Sequence, residues 1–337
     1  MEDTHEYFID YLRIVACTLI VCLHVTSYKS DLFNSLAFSN HLNFLIRCGV
    51  PIFFIISGYA LMKRYAVEQI EYKQFIIKRF ARVIIPYLAI STLTITSRLF
   101  IEKYKIIPLT DTVYSPFSLG KVVVDLLFAG AAQHYYFLIS IFIIYCFFPL
   151  LKKSLKNRFY CLLIFISYLI LYPFIIKIYD SLELPLPSPD VFSHALWGFK
   201  FFLFGVILYG YDRHFRRVLN RYGFLLSLLI ISLSLFMNAN RLPYSSYALI
   251  TSYFCLSYYL GKFKPTILIP LGKLTFGVYL FHQPYFVKAS TIICAKIGLG
   301  DWPLIMSSIL LTVTSTALFI LVLRRIKIMK TIFLGER

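Results

Sequence analysis

Apolar residues run through this chain in stretches of about twenty, separated by short segments that carry most of its charge. A helix of that length crosses the hydrocarbon core of a bilayer. The pattern therefore predicts an all-α polytopic integral membrane protein with about ten transmembrane helices in one bundle. The expected helices lie at 7–28, 42–62, 83–101, 134–151, 159–178, 196–211, 222–238, 244–261, 272–295 and 303–323.

Composition supports the membrane class, because 59% of the 337 residues are hydrophobic and only 15% are charged. Soluble domains usually carry about 25% charged residues. We expect a single transmembrane domain with its core at about residues 7–325 and no attached soluble domain. The first stretch follows Glu2, Asp3 and Glu6 instead of basic residues, so it is predicted to be a retained helix and not a cleaved signal peptide.

The net charge of +18 could indicate binding to nucleic acid, but the distribution of lysine and arginine indicates membrane topology instead. If the N-terminus is cytoplasmic, roughly two thirds of the 34 Lys and Arg fall in inner segments and about a quarter in outer ones. Inner segments of membrane proteins are enriched in these residues. We therefore expect both termini in the cytoplasm and no nucleic-acid partner.

The first helix contains three titratable residues, Asp10, Arg13 and His24, within its apolar sequence. Charge inside a spanning helix is costly, so it indicates a functional site. Arg13 and His24 are eleven positions apart, which places them on one helix face about 16 Å apart along the axis. Asp10 can pair with Arg13 across one turn. The alternative is that Arg13 reaches the headgroups and that His24 forms a hydrogen bond for packing alone.

A basic cluster, Lys78, Arg79 and Arg82, precedes the third expected helix. Such charges commonly serve only to hold a helix end on the inner side of the membrane. Arg79 and Arg82 are also spaced i, i+3, so in an α-helix they share a face and could clamp the phosphates of an anionic cofactor. Both readings remain open at this point.

Several further side chains are candidates. Ser57, next to Gly58, reads as a packing notch, and Ser57 has no obvious adjacent base that would make it a nucleophile. His282 places a second imidazole at mid-helix depth. Tyr136 lies in an aromatic run that opens the fourth helix, a position typical of a membrane interface.

The longest outer loop, residues 102–133, contains a short amphipathic or partly inserted helix at about 121–128 and could cover an opening on the outer side.

The seven cysteines and seven histidines are scattered. Their spacing predicts neither a disulfide framework nor a metal site.

Four segments, in their order along the chain, resemble acyltransferase family 3, the integral-membrane O-acyltransferases. They are IDYLR followed by His24, GVPIFFIISGY, KRFARVIIPY and FGVYLFH. The chain is similar in particular to bacterial members that O-acetylate surface polysaccharides, over about residues 7–325. It departs from the family in having Ile14 after the first-helix arginine and Tyr135 in place of a tryptophan.

The resemblance implies the chemistry as well as the fold. His24 would take the proton of a sugar hydroxyl or accept the acyl group first, a role that suits a side chain with a pKa near neutrality. Arg13, with Asp10, would contact the acyl donor or stabilise charge during the reaction. Lys78, Arg79 and Arg82, with Ser57 as a further candidate, would bind cytoplasmic acetyl-CoA.

The acceptor implied by the resemblance is a polysaccharide or a lipid-linked glycan, in contact with lipid in the bacterial inner membrane. A transporter or flippase is the alternative, with Arg13, His24 and His282 binding a lipid-linked sugar or relaying protons. Two matching halves with broken helices would favour a transporter, and the sequence does not contain them. A membrane sensor or scaffold would leave the intramembrane charges unexplained.

Overall fold

A computed structural model describes residues 6–29, 39–65, 69, 71–104, 118–184, 190–242 and 245–336, except for the side chains of residues 156, 284 and 301. All regular elements of these residues are helical. The α-helices are α1 (Tyr7–Tyr28), α2 (Ser39–Ile46), α3 (Gly49–Tyr65), α4 (Tyr72–Arg79), α5 (Ile85–Tyr104), α6 (Leu119–Leu127), α7 (Tyr136–Lys156), α8 (Arg158–Ser181), α9 (Val191–Ala239), α10 (Ser245–Gly261), α11 (Leu268–Phe281), α12 (Lys288–Lys296), α13 (Asp301–Leu323) and α14 (Lys327–Leu334). Two π-helices, Phe80–Ile84 and His282–Val287, and a 3-10 turn, Gln133–Tyr135, join neighbouring helices.

The all-helical membrane class is confirmed, since seven helices of the described residues are long and apolar enough to cross a membrane. These helices are Tyr7–Tyr28, Ser39–Tyr65, Tyr72–Tyr104, Gln133–Leu155, Arg158–Ser181, Val191–Ala239 and Trp302–Leu323. Leu268–Phe281 is a shorter apolar helix. The short helix expected at about 121–128 is present as α6, whereas residues 105–117 of the proposed covering loop lie outside the described residues.

One predicted boundary between two spans does not appear as a break in the helix. Residues 196–211 and 222–238 were expected to form two separate spans, but both belong to the 49-residue helix α9. The charged residues between them include Asp212 and Arg216, which are ion-paired four positions apart within the helix.

The chain divides into two compact units. The first unit comprises Met1–Arg64 and Phe201–Leu321, and the second comprises Tyr65–Lys200 and Val322–Arg337.

In the first unit, α1 packs against α10, α11 and the π-helix that follows α11. Phe8 anchors the beginning of α1, stacked on Tyr258 at 4.0 Å between ring centroids and in edge contact with Tyr59 at 5.3 Å. Gly58 of α3 meets the backbone of Phe202 in α9, and a Cβ atom at Gly58 would overlap the Phe202 carbonyl group. The predicted packing notch beside Ser57 is therefore a close helix crossing.

In the second unit, α7 packs against α4, α8 and the first π-helix, and α14 packs against α5. Tyr87 of α5 holds the C-terminal end of α6, because its hydroxyl group donates to the Leu126 carbonyl at 2.7 Å and accepts from the Ala129 amide at 3.1 Å. The Tyr135 side chain is buried in this unit, with 6.2 Å between its ring centroid and that of Tyr87.

Candidate active site

The candidate site of the first unit lies along the contact between α1 and α11, which run parallel. At the beginning of the contact, Gly272 lies against Asp10, where an added Cβ atom would be 2.6 Å from the Asp10 Oδ1. One turn further along α11, the Cys17 thiol lies 3.6 Å from the Thr275 carbonyl oxygen, to which it donates. Small residues of α11 therefore allow α1 to approach closely.

His24 and His282 meet at the far end of this contact, with ring centroids 5.1 Å apart and ring planes inclined at 49°. The His282 side chain is fully buried and His24 is half-buried. The sequence places His24 on the Arg13 face of the first helix and His282 at mid-helix depth, without relating the two. The structure brings them together as a pair within reach of one bridging hydroxyl group.

The hydrogen bonds of His282 determine its tautomer. Its Nδ1 lies 2.8 Å from the Tyr279 carbonyl oxygen and 3.1 Å from the Val278 carbonyl oxygen. Carbonyl oxygens only accept hydrogen bonds, so Nδ1 carries the proton and donates it. In the neutral ring, the lone pair is then on Nε2, which is the atom able to accept a proton from another group.

Asp10 and Arg13 form the ion pair that their spacing predicted, with 3.2 Å between Arg13 Nη1 and Asp10 Oδ1. The Asp10 side chain is 3% exposed, whereas that of Arg13 is 37% exposed. Burial of a carboxylate is tolerated only when a partner compensates its charge. The pair therefore leaves the Arg13 guanidinium half-accessible, in a position to contact an anionic or carbonyl group as well.

Sequence reasoning missed a charged network at the N-terminal end of α1. Glu6 accepts from Lys63 at 2.7 Å and from Arg216 at 2.9 Å, and Arg216 also pairs with Asp212 at 2.9 Å. Tyr258 donates to the same Asp212 carboxylate. The sequence counts Lys63 and Arg216 among the inner basic residues and places Lys63 near the basic cluster. The one sequence clue to the network is the i, i+4 spacing of Asp212 and Arg216. The network fixes α1 to α3, α9 and α10.

The basic cluster belongs to the second unit and differs from its prediction. Arg79 ends α4, while Arg82 lies in the π-helix Phe80–Ile84. A π-helix closes hydrogen bonds from i to i+5, so the α-helical i, i+3 geometry assumed for these two arginines is wrong. Pro86 accounts for the wider turn, because a proline ring clashes with the carbonyl group four residues earlier.

The two arginines also have different surroundings. Arg79 is half-buried between the rings of Phe75 and Tyr145, at 5.2 and 5.4 Å from their centroids. Its buried Nε has no hydrogen-bond partner among the described residues. Arg82 is exposed, and Gly335, in the left-handed region at a φ of 61°, lies against its carbonyl group. The cluster thus offers one guanidinium held between two rings and one exposed guanidinium, and Lys78 is exposed beside them.

The remaining predicted residues are distributed over both units. Ser57 is half-buried in α3 of the first unit, next to the close crossing at Gly58. Tyr136 begins α7 in the second unit, and its ring contacts that of His194 at 4.0 Å. Asp10, Arg13, His24 and His282 are therefore the predicted residues that the fold gathers along one helix contact. No group of His, Cys, Asp and Glu in the described residues could hold a metal ion.

Both π-helices coincide with segments that sequence reasoning had selected for chemistry. One contains Arg82 and the other begins at His282. π-turns inside α-helices occur frequently at functional sites. This coincidence was not predicted, because periodicity at 3.6 residues does not distinguish a local π-turn.

Comparison with known proteins identifies a family. Residues 6–324 match the family model that is described as an acyltransferase domain. No curated protein and no solved structure matches the chain. The matched region includes every candidate residue described above.

Proposed function

The chain belongs to acyltransferase family 3 and is a membrane-bound O-acyltransferase, and from this premise we propose that it transfers an acetyl group from acetyl-CoA to a sugar hydroxyl. The proposed acceptor is a bacterial surface polysaccharide or its lipid-linked precursor, and the proposed location is the bacterial inner membrane. The observation that carries the proposal is the imidazole pair, with 5.1 Å between the rings of His24 and His282. General-base catalysis needs a side chain of this kind within reach of the reacting hydroxyl group.

In the proposed reaction, an imidazole nitrogen of His24 takes the proton as the sugar oxygen attacks the thioester carbonyl carbon. The carbon–sulfur bond then breaks, and the CoA sulfur leaves with the proton that the imidazole returns. His282 is proposed to have a positioning role beside His24. Its Nδ1–H is held by backbone carbonyl groups, so its Nε2 lone pair can accept a hydrogen bond. A transient acetyl group on His24 is a variant of the same chemistry.

Arg13 and the basic cluster supply the charge that the donor requires. The half-exposed Arg13 guanidinium is proposed to contact the thioester region, with Asp10 holding it in place. The phosphates of acetyl-CoA are proposed to bind Arg79, Arg82 and Lys78, because forked guanidinium contacts favour phosphate oxygens. Support comes from the buried Nε of Arg79, which has no hydrogen-bond partner among the described residues.

The orientation follows from the lysine and arginine distribution, which favours cytoplasmic termini and hence a cytoplasmic entry for the donor. CoA is too polar to cross a bilayer, so the acetyl group has to travel along a path within the protein to an acceptor on the outer side. This orientation is part of the proposal and is tested separately below.

The test is to incubate membranes carrying the protein with acetyl-CoA labelled in its acetyl group. Release of free CoA thiol and label in the surface glycan are then measured. His24→Asn should lower both about 100-fold or more while the protein remains at normal levels in the membrane. The matched control is His41→Asn, which changes an exposed histidine of α2 and should retain activity. Near-normal transfer by His24→Asn would refute the assignment, and a transporter would release no CoA thiol at all.

A further inference from the structure

The second unit contains a cavity of about 310 Å³ lined by aromatic and polar side chains. Its lining residues are Tyr136, Tyr172, Ser193, His194 and Trp197. The volume lies at the lower end of the range for small-molecule sites, about 300–1,000 Å³. Of these residues, only Tyr136 had been singled out from the sequence, and none belongs to the imidazole pair.

Asp190 orders one wall of the cavity. Its Oδ1 accepts from the backbone amides of Phe192 and Ser193, at 3.0 and 3.2 Å, and thereby caps the beginning of α9. The Tyr179 hydroxyl group donates to the same oxygen at 3.0 Å. The Asp190 carbonyl oxygen, 2.7 Å away, accepts from His194 Nδ1. The His194 ring is therefore fixed in a tautomer whose Nε2 can accept a hydrogen bond.

Further contacts hold the other lining residues in place. The Tyr136 ring lies 4.0 Å from the ring of His194. The Tyr168 hydroxyl group donates to the Leu196 carbonyl at 2.7 Å, which ties α8 to the turn of α9 that carries Trp197. The Lys200 ammonium group lies 4.2 Å from the Tyr172 ring centroid. These contacts order the walls around the cavity, and a pre-formed site avoids the entropic cost of arranging side chains on binding.

The chemistry of the lining fits a sugar ring. The faces of tyrosine and tryptophan rings carry partial negative charge, so they attract the C–H groups that a pyranose presents on its own face. The hydroxyl groups of Ser193 and the two tyrosines can donate and accept, and the His194 Nε2 can accept, as sugar hydroxyls require. The five lining residues include no carboxylate, ammonium or guanidinium group. The cavity therefore suits an uncharged ligand.

We propose that this cavity binds one uncharged pyranose unit of the acceptor glycan, as a subsite that positions the chain to be acylated. The inference rests on the proposed function for the identity of the acceptor. The topology expected from the sequence agrees with it, because the beginning of α7, the end of α8 and the beginning of α9 all fall on the predicted outer side.

The test uses the tryptophans, of which the chain has two. In a Trp302→Phe variant, Trp197 becomes the sole tryptophan and its fluorescence reports on the cavity. The purified variant in detergent is titrated with methyl glycosides of several neutral hexoses and 6-deoxyhexoses at millimolar concentrations. At least one glycoside should change the emission of Trp197 saturably. Emission that does not respond to any of them would overturn the proposal.

Two further variants identify where the sugar binds. Tyr136→Ala removes a wall of the cavity and should weaken the fluorescence response about tenfold or more. The matched control is Tyr160→Ala, which removes an exposed tyrosine of α8 outside the lining and should leave the response unchanged. A response that survives Tyr136→Ala would mean that the sugar binds elsewhere.

The binding result and the transferase result are separable. Sugar binding at Trp197 together with no release of CoA from acetyl-CoA would retain the subsite and refute the proposed donor. CoA-dependent transfer to glycan without any Trp197 response would retain the proposed function and refute the subsite. In the otherwise native chain, Trp197→Ala should lower transfer to glycan at least tenfold while leaving acetyl-CoA affinity unchanged. Loss of acetyl-CoA binding in Trp197→Ala would count against an acceptor role.

Discussion

Replacement of Gly272 by alanine tests whether the spacing of α1 and α11 controls the reaction. A Cβ atom at Gly272 would lie 2.6 Å from the Oδ1, 2.9 Å from the Cγ and 3.0 Å from the Cβ of Asp10. Ordinary contacts begin at 3.4 Å, so the Oδ1 contact alone requires a displacement of about 0.8 Å. Rotation of the carboxylate group does not relieve the contact with the Asp10 Cβ, and the helices must separate.

The Gly272→Ala change should affect both the stability of the protein and the rate of acetyl transfer. Overpacking of a tight contact typically lowers the free energy of unfolding by about 1–3 kcal/mol. The separation also moves His24 relative to His282 and alters the Asp10–Arg13 pair. A misplacement on the order of 1 Å can lower the rate of an enzyme about 100-fold. We therefore expect Gly272→Ala to lower acetyl transfer by about 10- to 100-fold while the protein still inserts in the membrane.

The assay combines labelled acetyl transfer to glycan with thermal unfolding in detergent. Gly300→Ala is the matched control, because a Cβ atom there meets nothing within 4 Å, and it should match the native protein in both measurements. If Gly272→Ala has native transfer and native stability, close spacing of α1 and α11 has no part in the reaction. Equal losses in both variants would also contradict the prediction.

Three further predictions follow from the two units. His282→Gln should lower kcat tenfold or more with little change in the KM for acetyl-CoA, since a positioning role acts after the donor has bound; parallel changes in both constants would refute that role. The double change of Arg79 and Arg82 to lysine should keep the topology charge but weaken acetyl-CoA binding several-fold, as measured by titration, because lysine lacks the forked guanidinium. The orientation is tested with single cysteines in a chain from which the native cysteines have been removed. On intact spheroplasts, Tyr28→Cys should react with an impermeant thiol reagent and Ser154→Cys should not. The reverse pattern would place His24 on the cytoplasmic side.

Local properties of the chain were predictable from the sequence. The first span begins at Tyr7 and ends at Tyr28 as expected, because length and hydropathy determine a spanning helix with little help from its neighbours. The Asp10–Arg13 ion pair followed from one turn of that helix. Family membership followed from the order of four short segments and is confirmed by the match over residues 6–324.

Properties that depend on distant segments were not predictable. The pairing of His24 with His282 requires that α1 and α11 pack in one particular register, which no spacing along a single helix reveals. The charged residues near Arg216 resembled a loop between two spans. They lie inside a helix, where Glu6, from the beginning of the chain, pairs with Arg216. The same long-range dependence explains why the aromatic cavity around Trp197 left no recognisable trace in the sequence.

Because residues His282–Val287 form a π-helix, the number of residues in this turn matters to the packing as much as their identity does. Deletion of one residue from that turn would restore ordinary helical closure and rotate every later position by about 100° relative to α11. The buried positions Ser290, Thr291 and Cys294 would then leave their present contacts, although the hydropathy of the segment would hardly change. Such a protein would still insert in a membrane, because the hydropathy of its helices would be preserved. Variants with one residue fewer in this turn therefore separate the requirements for membrane insertion from those for correct packing. We expect natural chains with a one-residue gap there to have an altered or lost reaction.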